Sequence, residues 1–205
     1  MARILITSGP TRQYLDPVRY LSNASSGRMG CALATAALVA GHEVVVVSGP
    51  VGVTYPEAAE VISVVTTEEM LAASVKQFPT CDGVIGVAAP CDFCAKVVAS
   101  KKIKKADGNL TLELVATPDI MKALGALKRK HQWSVGFALE TENGKANAVK
   151  KLSRKQCDLI VLNSAGAIDS ESNSITVINA DGKSIRDFSG SKSNAAAVIV
   201  ELLPT

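Results

Sequence analysis

The sequence predicts an α/β protein of one domain, an open and mostly parallel sheet flanked by helices. Three observations point there. Of 205 residues, 47% are hydrophobic but only 4% aromatic, so the core must be built from Val, Ile, Leu and Ala. The candidate strands are apolar throughout rather than alternating, as strands covered on both faces are. Strand-like and helix-like stretches also alternate along the chain, with no composition shift or Pro/Gly-rich linker to divide it.

Taken in order, RILITSG (3–9) reads as a buried strand ended by glycine, and the helix pattern MGCALATAALVA (29–40) closes at Gly41. EVVVVSG (43–49) is the next strand and completes a βαβ opening. VISVVT (61–66), the helix TEEMLAASVKQF (67–78) and the strand DGVIGVAA (82–89) continue the alternation. Residues 90–108 then hold no clean period, after which NLTLELV (109–115) resumes as a strand. PDIMKALGALKR (118–129) reads as a helix with Thr117 as cap and Pro118 at its first position. The strand SVGFALE (134–140), a helix over 145–156, the strands DLIVLNS (158–164) and SITVIN (174–179), and the helix SNAAAVIVELL (193–203) complete the chain. With right-handed crossovers this is a Rossmann-like sheet, whose ligands gather outside the carboxyl ends of the strands where strand order reverses. Those ends are Gly9 to Arg12, Ala88-Ala89, Phe137 to Glu140, and Asn163.

A net charge of +3 is too slight to imply nucleic acid. No apolar run approaches a transmembrane length and MARILITSG is too short for a signal peptide, so the expectation is a cytoplasmic protein without membrane attachment. The five cysteines, Cys31, Cys81, Cys91, Cys94 and Cys157, follow no disulfide framework and fit reduced thiols. Cys91 and Cys94 form a lone CxxC with no second pair and only two isolated histidines, which favours small apolar residues over a redox or zinc site.

Three features suggest phosphate chemistry. SNASSGRMG (22–30) precedes an apolar helix: its serines and asparagine are able caps, yet the free N–H groups of such a first turn also suit an anion, with Gly27 and Gly30 allowing close approach. Four cations in five residues, Lys101-Lys102-Ile103-Lys104-Lys105, read as a basic lid over a triphosphate or as a solvated loop. Lys151 and Lys155 stand four apart on a helix, so they repel unless an anion lies between them, although many exposed helices carry such pairs harmlessly. Asp92, just past Ala88-Ala89, is a carboxylate at a strand end. A GxGxxG fingerprint is missing, which disfavours NAD.

SGPTR (8–12), DPVRYLSNASSGRMG (16–30), GVAAPCDF (86–93), KIKK (102–105), TPDI (117–120), GFALET (136–141), KLSRK (151–155) and DLIVLNS (158–164) occur in the order seen in phosphopantothenoylcysteine synthetase, which the chain resembles over nearly its whole length. The resemblance implies a free-standing ligase that joins 4′-phosphopantothenate to L-cysteine in coenzyme A synthesis, using CTP and Mg²⁺ through an acyl-cytidylate. It implies Asn23 and Lys102 as catalytic residues. Nucleotide contacts would come from Ser25, Gly27, Gly30, Asp92, Lys102, Pro118, Asp119, Ile120, Met121, Phe137, Lys151 and Lys155. Asn23, Ala88, Ala89 and Asp92 would line the phosphopantothenate site, with Arg19 reaching it from a partner subunit. A homodimer follows, with a separately encoded decarboxylase as a further partner and no nucleic acid; metal ligands stay unassigned. Two rival readings stand beside it: an NAD(P)-dependent oxidoreductase on the same fold, and a non-catalytic nucleotide- or nucleic-acid-binding module.

Overall fold

Alternate residues of the first strand face opposite ways, and each set meets its own helices. In a computed structural model describing residues 1–105, 107–140, 142–164 and 172–204, that strand is β1 (Arg3–Ser8), followed by a hairpin of β2 (Arg12–Tyr14) and β3 (Tyr20–Ser22). Then come α1 (Arg28–Val39), β4 (Glu43–Ser48), β5 (Glu60–Ser63), α2 (Thr67–Gln77), β6 (Gly83–Gly86), β7 (Phe93–Ala95) and β8 (Leu114–Ala116). The remaining elements are α3 (Ile120–Leu127), β9 (Trp133–Glu140), α4 (Gly144–Arg154), β10 (Leu159–Ser164), β11 (Ser172–Asn179), β12 (Ser184–Ser191) and α5 (Lys192–Glu201).

Eight strands form the main sheet in the order β12-β11-β10-β9-β6-β1-β4-β5. All pairs from β5 through β10 are parallel, while β11 and β12 extend that edge antiparallel. Counting only the parallel strands in chain order gives 3-2-1-4-5-6, the doubly wound order, with its reversal between β1 and β6. Ile4 and Ile6 pack with Leu33 and Ala37 of α1 and Ile199 of α5; Leu5 and Val84 pack on the other face with Met70 of α2, Leu124 of α3 and Leu152 of α4. Both faces are covered, which is why the strands needed no polar side.

The structure departs from the sequence reading in several places. The strand expected over 82–89 is regular only over Gly83–Gly86, beyond which the Val87 and Ala89 N–H groups still donate to the Thr7 and Gly9 carbonyls. The strand expected over 109–115 is short, spans Leu114–Ala116, and pairs with β7 in a ribbon outside the main sheet. That ribbon packs beside the β2–β3 hairpin. Asp119, not Thr117, caps α3 by accepting from the Lys122 N–H at 3.1 Å, so Pro118 lies before the helix. Thr117 instead donates its hydroxyl to the Cys91 carbonyl.

Candidate active site at the strand ends

The chain between β6 and β7 is the hinge of the site. Val87, Ala88, Ala89 and Pro90 run over the reversal point of the sheet, held by a bridge between Ala89 and Pro10 and by the Ala89 N–H donating to the Gly9 carbonyl at 2.9 Å. Two cavities open on either side. The larger, about 490 Å³, lies against the start of α1 and is lined by Asn23, Ser25, Gly27 and Gly30 as well as Ala88 and Ala89. The smaller, about 280 Å³, lies against the start of α3 and takes in Pro118, Asp119, Ile120, Met121 and Lys155. Ala88, Pro90, Asp92, Phe137 and Lys151 border both.

At the first cavity, none of the polar residues of SNASSG caps the helix. Gly27 is the N-cap at φ +75°, and no side chain accepts from the first turn of α1, which also lacks an acidic residue. The left-handed turn at Gly27 brings the chain into α1 without a side chain over the helix end. The uncapped N–H groups and the helix dipole therefore face the cavity. Gly30 has a different reason: a Cβ there would lie 2.0 Å from the Ser8 hydroxyl, so it lets α1 sit tightly on the end of β1. Asn23 is exposed, and its side-chain amide donates to the carbonyls of Ala89 (3.2 Å) and Pro90 (2.9 Å), pinning the shared wall.

Around the second cavity the lysines already have partners. Lys151 pairs with Glu140 at 2.7 Å, and Lys155 with Asp119 at 3.1 Å, where Arg154 also approaches at 3.4 Å. The expected repulsion between Lys151 and Lys155 is therefore met by two carboxylates from neighbouring elements, and needs no bound anion. Burial raises the Asp119 carboxyl, but Lys155, the Lys122 N–H and Arg154 outweigh it and hold the group below the usual aspartate range. The hydrogen bond from Lys151 does the same for Glu140 against its own burial, helped by Asn147. The close seat of α3 on the end of α4, where a Cβ at Gly125 would lie 2.2 Å from the Lys155 carbonyl, brings Asp119 and Lys155 together.

Two expected site residues border neither cavity of this chain, Arg19 being the one expected at a partner subunit's site. Lys102 is exposed and borders neither cavity. Arg19 is engaged within its own chain, donating to Asp16 and to the Ile103 carbonyl, each at 2.8 Å. Glu140 and Arg154 were not singled out as site residues from the sequence; the signal was available, since an acid ending an apolar strand and a third cation on α4 both bear on the same rim. Cys91 is buried, with its thiol pushed up by burial and directed at the Thr11 and Leu21 carbonyls. It packs as a small apolar residue, and all five cysteines are free thiols.

Fold and site together define a doubly wound α/β protein whose two cavities open at the switch point, beside an uncapped helix start and a cationic helix rim. The chain belongs to the family of the DNA/pantothenate metabolism flavoprotein C-terminal domain, whose model matches residues 1–205. It is 44% identical over 184 residues, 87% of its length, to the coenzyme A biosynthesis bifunctional protein CoaBC of Bacillus subtilis (strain 168), covering 45% of that protein. It is 43% identical over 209 residues to a cysteine/cysteine sulfinic acid decarboxylase from an unknown prokaryotic organism, covering 99% of this chain and 58% of that one. The chain thus spans about half the length of the curated relatives it matches. Among solved structures, the C-terminal domain of a CoaBC superposes with a TM-score of 0.83 at 36% identity, covering 97% of this chain and 92% of that one. A Cab2 variant in complex with phosphopantothenate-cysteine shares the fold, with a TM-score of 0.78 at 16% identity over 97% of this chain and 86% of that one.

Proposed function

We propose that this chain joins 4′-phosphopantothenate to L-cysteine, with CTP activating the carboxylate. The observation that carries this reading is the pair of cavities divided by a common wall of Ala88, Pro90, Asp92, Phe137 and Lys151. Condensing a carboxylate with an amine needs an activated acyl group, so a nucleotide and an acid must meet end to end. The uncapped start of α1 suits a phosphate group in the larger cavity, which moves Ser25, Gly27 and Gly30 from the nucleotide contacts expected of them to the acid's side, and Lys151, Arg154 and Lys155 suit a polyphosphate in the smaller. The substrate carboxylate attacks the α-phosphorus of CTP, pyrophosphate leaves, and an acyl-cytidylate forms. Cysteine's amine then attacks the acyl carbon and CMP leaves. Phosphate oxygens would displace Glu140 and Asp119 from the lysines, which these carboxylates hold in place before the nucleotide arrives. Ala88 and Ala89, lacking long side chains, leave room for the pantothenate arm.

Among the described residues no group of three His, Cys, Asp or Glu side chains could hold a metal ion. The described side chains therefore do not form a cage for Mg²⁺, an ion that a triphosphate commonly brings with it. Lys102 is proposed as a further cation of the activation step and Asn23 as the uncharged group serving the second. The exposed apolar side chains of Val18 and Tyr20 on the hairpin and of Phe93, Leu114 and Val115 on the ribbon support a homodimer. Five free thiols accord with the cytoplasm. Among the described residues no helix is long and apolar enough to cross a membrane.

The test is pyrophosphate release from CTP with Mg²⁺ and 4′-phosphopantothenate, with and without cysteine, and with ATP and polynucleotide as controls. Release that requires phosphopantothenate and turns over repeatedly only with cysteine is expected. No release from any triphosphate would overturn the ligase and leave a nucleotide-binding module.

A further inference from the structure

A buried carboxylate ties the lysine segment to the β2–β3 hairpin. Asp16 is wholly shielded from solvent, and its two oxygens do separate work. Oδ1 accepts from the Val18 N–H at 2.7 Å and the Arg19 N–H at 2.8 Å, forming the turn of the hairpin. Oδ2 accepts from the Arg19 guanidinium at 2.8 Å and from the Ile103 N–H at 3.0 Å. The same guanidinium nitrogen donates to the Ile103 carbonyl at 2.8 Å. Both backbone polar groups of Ile103 are thus held, while Lys101, Lys102, Lys104 and Lys105 around it are exposed. A second strap, the Ala99 N–H donating to the Leu15 carbonyl at 2.9 Å, fixes the approach to this segment.

An asparagine could form the turn equally well without the cost of burying a charge, so the turn alone does not explain an aspartate. What the charge adds is the grip of Oδ2 on Arg19 and Ile103. The hairpin so loaded runs directly into Asn23, whose amide pins the wall between the cavities. One element therefore carries the lysine segment at its turn and the wall's anchor at its exit.

We propose that Asp16 is a positioning residue that sets Lys102 relative to Asn23 through the Arg19–Ile103 clasp. This rests on the reading of Lys102 as a cation of the activation step.

Asp16→Asn separates the two oxygens' work: the amide oxygen keeps the turn, while an N–H donor replaces the acceptor that faced Ile103 and Arg19. Ile103→Pro provides an independent break, removing the N–H that Asp16 accepts while also fixing φ at position 103 and restricting Lys102 before it. Trypsin cleavage after Lys104 and Lys105 is expected to quicken about tenfold or more in both variants, since a charge-assisted bond closes the segment. Unchanged cleavage in both overturns the clasp. Pyrophosphate release should fall about tenfold in Asp16→Asn, whereas adding Asp16→Asn to Lys102→Ala should lower it no further than Lys102→Ala alone does. An equal fold-loss with and without Lys102 overturns the positioning role and assigns Asp16 to the fold. If the unmodified protein releases no pyrophosphate, the ligase reading and Lys102's part in it fail together, while the cleavage comparison still decides whether the clasp exists.

Discussion

Asn23→Asp exchanges one amide nitrogen for an oxygen and should slow one chemical step far more than it loosens the fold. Asn23 donates at 3.2 and 2.9 Å to two carbonyls of the wall. The aspartate would set a charged oxygen about 3 Å from both, turning two attractions into two repulsions. Because the residue is exposed, each lost hydrogen bond costs about 1 kcal/mol of stability or less. On the proposed role of Asn23 the kinetic effect is larger: the amide must leave the wall carbonyls for the developing negative charge, and losing such a donor lowers a rate by roughly 10²–10³, about 3–4 kcal/mol of barrier. Rapid quenching with radiolabelled CTP separates the steps. The acyl-cytidylate should accumulate at close to the normal rate, and its decay on adding cysteine should slow by roughly 10²–10³. A normal turnover rate would refute the assignment. Equal slowing of both steps would instead make Asn23 a support of the wall, with no donor role of its own.

Gly30→Ala should destabilise the protein by about 1–3 kcal/mol in urea denaturation, because the new Cβ would lie 2.0 Å from the Ser8 hydroxyl and 2.6 Å from its Cβ; an unchanged midpoint would show that α1 does not sit on β1 as described. Acid should weaken the pairs around the smaller cavity. Asp119 and Glu140 are both held below their ordinary values, so their contribution to stability is complete above the unfolded carboxylate range, about pH 4, and is lost as pH falls through and below it. The melting-temperature difference between the protein and Glu140→Gln should therefore shrink between about pH 5 and 3, and a difference independent of pH would contradict the Lys151–Glu140 pairing.

Elements buried on both faces were legible because a run such as Val44 to Val47 has few other places to go. The polar strand β12 was not, since Ser184–Ser191 is mostly exposed and belongs to the sheet only by pairing antiparallel with β11. Ribbon β7–β8 escaped for a related reason: its pairing partners are about twenty residues apart and its side chains are largely exposed. At the site, strand ends and the start of α1 could be located from glycine and serine punctuation, but Asp119 displaced Thr117 as cap because a carboxylate at the helix start also meets Lys155 and Arg154. Charge pairs of this kind depend on which helix lies beside which, and periodicity says nothing of that. Spacing could show that Lys151 and Lys155 share a face; it could not show that Glu140 and Asp119 already answer them.

The wall between the cavities bears on retention as well as on chemistry. A molecule built across Phe137 and Asp92 touches both chambers, so either half rebinds before the other has let go. A reactive mixed anhydride would thereby stay long enough to meet an amine rather than water, while each fragment, holding one chamber only, would leave quickly once the bond between them is cut.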